Sequence, residues 1–470
     1  MMRARILFII LLFFSSSACF INRATSGEEN RQSIAQSNSI KSAGWVREAI
    51  IYSVYLRSFS PEGTFAGLEK RIPEFKEMGV NVIWLMPINP IGIKNRKGKL
   101  GSPYSIRDYY ATNPEFGSML DFQKLLATVH KNKIKLILDL VINHTAWDSK
   151  LIHQHPEWFS KDSSGNIVSP NDDWTDVADL DYSKPGLRRY MFEMMEWWVK
   201  DIGIDGFRCD VSELVPLDFW EEARIRLDKI KPIIMLSEGS LPEHHLNAFD
   251  ITYSWNIYDA LEPLLKKERS AKFLDTVLQN EKLEFPQKSL RLRFNTNHDK
   301  NAWDGPAIVK FGQTGLKLSA VLVNTIPGIP LIYNGEEVAN DRKLGLFEKV
   351  DIDWNRSREM DTLYRSLFKL RKEHKAISHG EFIKVPTSND VSIFAFLRIE
   401  GKDKVLVILN FSDATQTPEI QLSLNKSISE ASKIMLKDYF SHKSVQVDKG
   451  KIFNPSIQQF GYQIYIVNEK

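Results

Sequence analysis

The sequence predicts an α/β protein: a (β/α)8 TIM barrel with a short inserted subdomain after its third strand and a C-terminal antiparallel β domain. Three observations predict it. Apolar runs of strand length alternate with helical patterns eight times within about 330 residues. Most of these runs are continuously apolar, as parallel strands covered on both faces are. No Gly-rich phosphate loop supports the runner-up, an open doubly wound sheet.

The N-terminus reads as an address. Arg3 and Arg5 precede the apolar run Ile6–Phe14, and Ser15, Ser16, Ser17 and Ala18 follow. A positive start, a short apolar core and small residues are expected of a signal peptide over residues 1–18. The run is too short to span a bilayer. Cys19 after small residues resembles the lipid-attachment box of bacterial lipoproteins, although Ser16 stands where a large aliphatic residue is usual. A lipid anchor at Cys19 and simple secretion both stay open, and both imply export. Residues 19–43 are rich in Ser, Asn and Gln and read as a flexible leader or tether. The only other cysteine is Cys209, so removal or lipidation of Cys19 excludes an internal disulfide.

The barrel is expected over residues 44–376. Its strands are Ala49–Tyr55, Asn81–Met86, Ile134–Leu140, Ile204–Asp210, Ile233–Glu238, Phe249–Tyr253, Leu290–Asn295 and Ile329–Tyr333, the sixth being the weakest. Leu68, Ile72, Phe75 and Met78 recur at helical spacing before Gly79. Phe122, Leu125, Leu126 and Val129 mark a second helix, and Pro185 opens a third. The stretch from Asn143 to Lys184 has little periodicity and is too long for an ordinary loop. It predicts an inserted subdomain at about residues 145–184. Residues 377–470 carry strand runs without long helices between them and are expected to form a β-sandwich.

Composition narrows the function. Lys and Arg total 62 against 59 Asp and Glu, a net charge of +3. That balance leaves no electrostatic footprint for nucleic acid. With 43% hydrophobic and 11% aromatic residues, the chain is globular and not disordered.

Active sites of such barrels lie at the C-terminal ends of the strands. There the sequence places Asp139, Asn143 and His144, then Arg208 and Asp210, then Glu238, then His298 and Asp299. A lone aspartate after a strand is usually a cap or turn residue. Several carboxylates converging on one face repel each other, so a fold does not gather them for stability. Arg208 lies two residues before Asp210 on the same side of the strand and can hold it ionised. Glu238 follows an apolar run with no cation nearby in sequence, which suits a protonated acid. Paired carboxyl groups of this kind perform glycoside hydrolysis.

The stretches DLVINH, GFRCD, the SE after the fifth strand and NHD resemble, in order, the four sequence regions of the α-amylase superfamily of glycoside hydrolases. SPYSIRDYY at Ser102–Tyr110 and IPGIPLIYNGEE at Ile326–Glu337 add two more matches. The resemblance implies Asp210 as nucleophile, Glu238 as general acid and base, and Asp299 as the carboxylate that stabilises the transition state. It implies Tyr104, His144, Arg208 and His298 as binders of the reacting sugar, with Asp139 and Asn143 shaping the site. The implied activity is retaining cleavage of α-1,4 bonds in starch, glycogen or maltooligosaccharides. An α-glucosidase or glucanotransferase would use the same residues, and a non-catalytic glycan-binding scaffold would keep the fold. No cofactor is needed for the chemistry. A structural calcium is left open: Asn143 and Asp179 match ligand positions, but Leu214 replaces a frequent histidine, and a calcium ion needs about six to eight oxygens. Ser105 replaces the aspartate that commonly follows the tyrosine. Lys94, Arg96, Lys97 and Lys99 read as a solvated basic loop. Trp147, Trp158 and Trp174 could stack on a glucan or build the subdomain's core. Cys209 reads as a small buried hydrophobe.

Overall fold

The computed structural model describes residues 32–422 and 433–469. The signal peptide and Cys19 lie outside the described residues. Among the described residues, no helix is long and apolar enough to cross a membrane.

Eight parallel strands close into a barrel. They are β1 (Ile51–Val54), β2 (Val82–Leu85), β3 (Lys135–Leu140), β6 (Gly206–Cys209), β7 (Ile234–Ser237), β8 (Ile251–Tyr253), β9 (Leu290–Arg293) and β10 (Ile329–Tyr333). Around the ring the order is β1, β10, β9, β8, β7, β6, β3, β2. Their residues are almost all buried, because helices cover the outside and side chains fill the inside. Gly206 permits one close approach: a Cβ there would lie 2.0 Å from the carbonyl oxygen of Ile234.

The helices follow the apolar spacing. Ile72–Met78 buries Ile72, Phe75 and Met78 and stops at Gly79, whose φ of 102° gives the left-handed cap. Met119–Lys131 buries Phe122, Leu125, Leu126 and Val129 behind a Ser118–Asp121 capping box. Pro185 is the first residue of the helix Pro185–Trp197, where its missing N–H costs nothing.

Between β3 and that helix, β4 (His144–Ala146) and β5 (Val177–Asp179) form a small antiparallel pair, the frame of the inserted subdomain. The leader is partly fixed: Ser39 donates to the Gln287 carbonyl at 3.0 Å and Ile40 to that of His245 at 2.7 Å. Residues 37–40 therefore dock on the barrel instead of forming a free tether.

The C-terminal strands are β11 (Glu381–Val385), β12 (Ile393–Glu400), β13 (Asp403–Asn410), β14 (Lys433–Asp438), β15 (Ser444–Asp448) and β16 (Tyr462–Glu469). They form one antiparallel sheet, in the order β11, β12, β13, β16, β14, β15. Alternation explains its two faces. Phe394, Phe396, Val405 and Val407 join the barrel's core. Ala395, Leu397, Leu406 and Ile408 pack on the far side with Ile420, Leu422, Phe453 and Ile457. Among the described residues, the expected sandwich is thus a single six-stranded sheet, covered outside by short bridged segments at Gln416–Ile457 and Ile420–Phe453.

Candidate active site

The C-terminal ends of β3, β6, β7 and β9 deliver the polar residues of a cleft of about 370 Å³. Tyr104, His144, Asp210, Glu238, His298 and Asp299 all line it. Arg208 and Asp139 lie beneath and are fully buried side chains.

Arg208 is the hub. One terminal nitrogen (Nη1) donates to Asp139 at 2.7 Å and to Asp210 at 2.8 Å. The other contacts Glu238 at 2.5 Å as an ion pair outside hydrogen-bond alignment. The rings of Trp84, Tyr253 and Tyr104 surround the guanidinium at 5.2, 5.8 and 5.9 Å. The expectation that Glu238 has no cation near it is therefore corrected. Arg208 pairs with Leu236 across β6 and β7, so Glu238, two residues on, falls on the same face within its reach.

One cation faces three buried carboxyl groups, so burial and mutual repulsion push their pKa values up. Burial drives Asp139 up to about 7 against the pull of Arg208, with Glu238 adding repulsion. Burial likewise lifts Asp210 to about 7, opposed by Arg208 and reinforced by Asp139 and Asp299. Glu238 rises furthest, to about 8, through burial and the neighbouring Asp210 and Asp299. A backbone device holds it: Val211 donates its N–H to Glu238 Oε2 at 2.8 Å. To do so Val211 adopts φ 35° and ψ 45°, a left-handed conformation that a β-branched residue rarely takes.

The histidines are neutral. Burial lowers both His144 and His298 to about 4. Tyr104 lies 2.6 Å from His298 Nε2 and donates to Asp139 at 3.2 Å. Trp84 also donates to Asp139 at 3.2 Å. Tyr104 and His298 stack nearly parallel, with ring centres 5.5 Å apart. His298 is 3.2 Å from Asp299.

All seven sequence-predicted site residues thus meet at one cleft. Trp174, one of the three tryptophans expected to stack on a glucan or build the subdomain's core, lines it; Asp176, Trp303, Leu346 and Phe347 line it too, and none of these four stands in a recognisable motif. Of the three subdomain tryptophans, Trp174 lies 5.4 Å from His144 at the cleft, while Trp158 is buried and stacked on His155. Trp147 donates to the Thr175 carbonyl. The basic loop is not simply solvated: Lys97 lines the cleft and pairs with Asp176 at 3.3 Å. Ser105 donates to the Asp176 carbonyl. Cys209 is buried, and burial pushes its thiol well up, which makes it inert.

Of the nominated calcium ligands, Asn143 immediately precedes β4, and Asp179 pairs with His144 across β4 and β5. The Asn143 side-chain nitrogen sits 3.3 Å from His144 Nδ1, and the Asn143 backbone carbonyl accepts from the Leu180 N–H at 3.1 Å. Leu214 is exposed and offers no donor. Among the described residues no three acidic, histidine or cysteine side chains cluster to hold a metal.

A model of the α-amylase catalytic domain matches residues 26–363. The chain belongs to the α-amylase family. The solved structure of a noncanonic maltogenic α-amylase, AmyB from Thermotoga neapolitana, shares 32% identity with a TM-score of 0.82, covering 90% of this chain and 99% of that one. The α-amylase MalA of Haloarcula japonica is 24% identical over 395 residues, which span 79% of this chain but only 57% of MalA. An α-1,4-glucan:maltose-1-phosphate maltosyltransferase of Picrophilus torridus is 26% identical over 410 residues, 80% of this chain and 62% of that protein. Family relatives thus include both glycosidases and a transglycosylase.

Proposed function

We propose that this protein is a retaining glycosidase that cleaves α-1,4-glucosidic bonds in starch, glycogen or maltooligosaccharides. One observation carries the reading: a single guanidinium is shared between Asp210 and Glu238, yet the two carboxyls are held differently. Retention needs the two groups about 5–5.5 Å apart, a spacing that one bridging guanidinium suits.

Asp210 is the nucleophile. Its hydrogen bond from Arg208 favours the ionised form, and its free oxygen attacks the anomeric carbon. The bond to the leaving oxygen breaks as Glu238 gives that oxygen its proton. Water then yields a proton to Glu238 and its hydroxyl to the anomeric carbon, which frees Asp210. Burial keeps Glu238 protonated at neutral pH, as its first step requires. Asp299, beside neutral His298, stabilises the positive charge that develops on the sugar. Tyr104 and His298 offer an apolar face and hydrogen bonds to the ring, and His144, beside Trp174, lines the same cleft. A sugar hydroxyl in place of water would make the same site a glucanotransferase, the second reading that the maltosyltransferase relative supports. The pattern of residues 1–18 supports export to meet such a substrate.

A 5-fluoro-α-glucosyl fluoride should leave a sugar adduct on the peptide bearing Asp210, read by mass spectrometry. Soluble starch, maltotriose and pullulan would be tested beside it. Turnover without an adduct would overturn the retaining mechanism. No turnover of any α-glucan would return the scaffold reading.

A further inference from the structure

The segment after β2 crosses the top of the barrel and is fastened on both sides. The bridge Ile91–Ile106 closes its root. On one side Lys97 pairs with Asp176 at 3.3 Å and donates to the Asp173 carbonyl, both in the inserted subdomain. On the other side Lys99 donates its backbone N–H to Glu348 at 2.9 Å, and Leu100 donates to the Phe347 carbonyl at 3.0 Å. The approach there is close: a Cβ on Gly98 would stand 2.6 Å from that of Phe347. Beneath, the fully buried Arg57 ties both loops together, donating to the carbonyls of Gly101 at 3.2 Å and Leu346 at 2.9 Å. Glu115 holds the same guanidinium at 2.7 Å.

The rim from Trp174 through Lys97 and Leu100 to Phe347 is therefore continuous. Its place in the ring matters. Glu238 follows β7, which stands opposite β1 in the eight-strand order. The strap follows β2, and the Leu346–Phe347 loop follows β10, the two neighbours of β1. The acid protonates the leaving group, so the leaving chain lies over β7. The sugars on the other side of the scissile bond must then run toward β1, where the strap closes the rim.

We propose that residues 94–102 form a fixed strap that ends the cleft on the glycone side, so that the enzyme takes α-1,4-glucans by their free non-reducing ends and releases short products of uniform length. This rests on the α-1,4 reading above. The strap sets how many sugars fit beyond the reacting one, and Lys97 and Glu348 are its specificity-determining fasteners.

The test uses two maltoheptaosides bearing a 4-nitrophenyl group at the reducing end. One has a free non-reducing end, and the other is blocked there by a 4,6-O-ethylidene group. Chromatography of the products gives rates and product lengths. The wild-type protein should cleave the free substrate at least about tenfold faster, with one product length dominant. Lys97→Met keeps the stem and removes the ion pair, and Glu348→Ala removes the opposite anchor. Either should raise the blocked-to-free rate ratio and broaden the product lengths. Equal wild-type rates would overturn the strap while leaving the α-1,4 reading intact. Unchanged discrimination in both variants would overturn the strap as its cause. No cleavage of either substrate would overturn the α-1,4 reading and this proposal with it.

Discussion

Two aspartates flank the same strand and live in opposite worlds. Asp205 precedes β6 and Asp210 follows it, about 17 Å apart along an extended chain. Asp205 meets His130 at 2.7 Å, Lys135 at 3.0 Å and Lys231 at 3.6 Å, and accepts the Leu136 N–H at 3.0 Å. Burial opposes its charge, but these hydrogen bonds and cations pull its pKa down to about 2. Asp210 shares one arginine with two other carboxyls and is pushed up to about 7. The lower end of the barrel satisfies its carboxylate and gains stability. The upper end leaves its carboxylates under-compensated and keeps them reactive.

The comparison can be sharpened by removing each charge. Asp210→Asn should lower turnover of α-glucan by about 10⁴-fold or more, as loss of a nucleophile does. Its melting temperature should stay equal or rise, because one crowded charge is gone. Loss of stability with activity retained would erase the distinction.

Asp205→Asn should do the reverse. The depression from the ordinary value to about 2 is worth at most about 2 kcal/mol after discounting for its half-exposed lysine and histidine partners. Chemical denaturation should show that loss at pH 7 with turnover unchanged. A group with a depressed pKa stabilises above its unfolded value. Wild-type and variant stabilities should therefore converge as pH falls from about 4 to 2.

The site carboxyls carry the opposite sign. A carboxyl whose folded pKa is raised binds a proton that the unfolded chain releases. Its cost is absent below about 4 and grows as pH rises to about 8. Wild-type stability should fall over that interval, and Glu238→Gln should make that fall shallower. The alkaline limb of kcat/KM should lie near 8 in the wild type. An unchanged stability slope in the glutamine variant would show that Glu238 is not the proton's holder.

The smallest effect belongs to Val211. Glycine relieves its left-handed backbone, so Val211→Gly should gain under about 1 kcal/mol after the entropy of glycine is subtracted. The cost should appear in kcat, since the N–H that holds Glu238 becomes less fixed.

Most barrel strands were legible because they are apolar on both faces; β9, with Arg291 and Arg293 on one face, was legible by its alternation. Even the weak run Phe249–Tyr253 is a strand, shortened to Ile251–Tyr253. The runs Glu381–Val385 and Ser444–Asp448 went unread. They are the two edges of the C-terminal sheet, and edges carry polar residues that mask the strand pattern. The carboxylates were legible for a different reason: strand ends in a barrel all face one way.

Residue order alone thus determined the eightfold alternation, the acidic strand ends and the hub position of Arg208 relative to Asp210, because these depend on neighbours along one strand. Tertiary structure decided the rest. Whether Arg208 also reached Glu238 depended on the register between β6 and β7. Whether Lys97 was a solvated cation or a fastener depended on Asp176, far away in sequence. The raised carboxyl pKa values depended on burial that no local pattern encodes. Desolvation and long-range pairing are properties of three-dimensional neighbours, and folding is what supplies them.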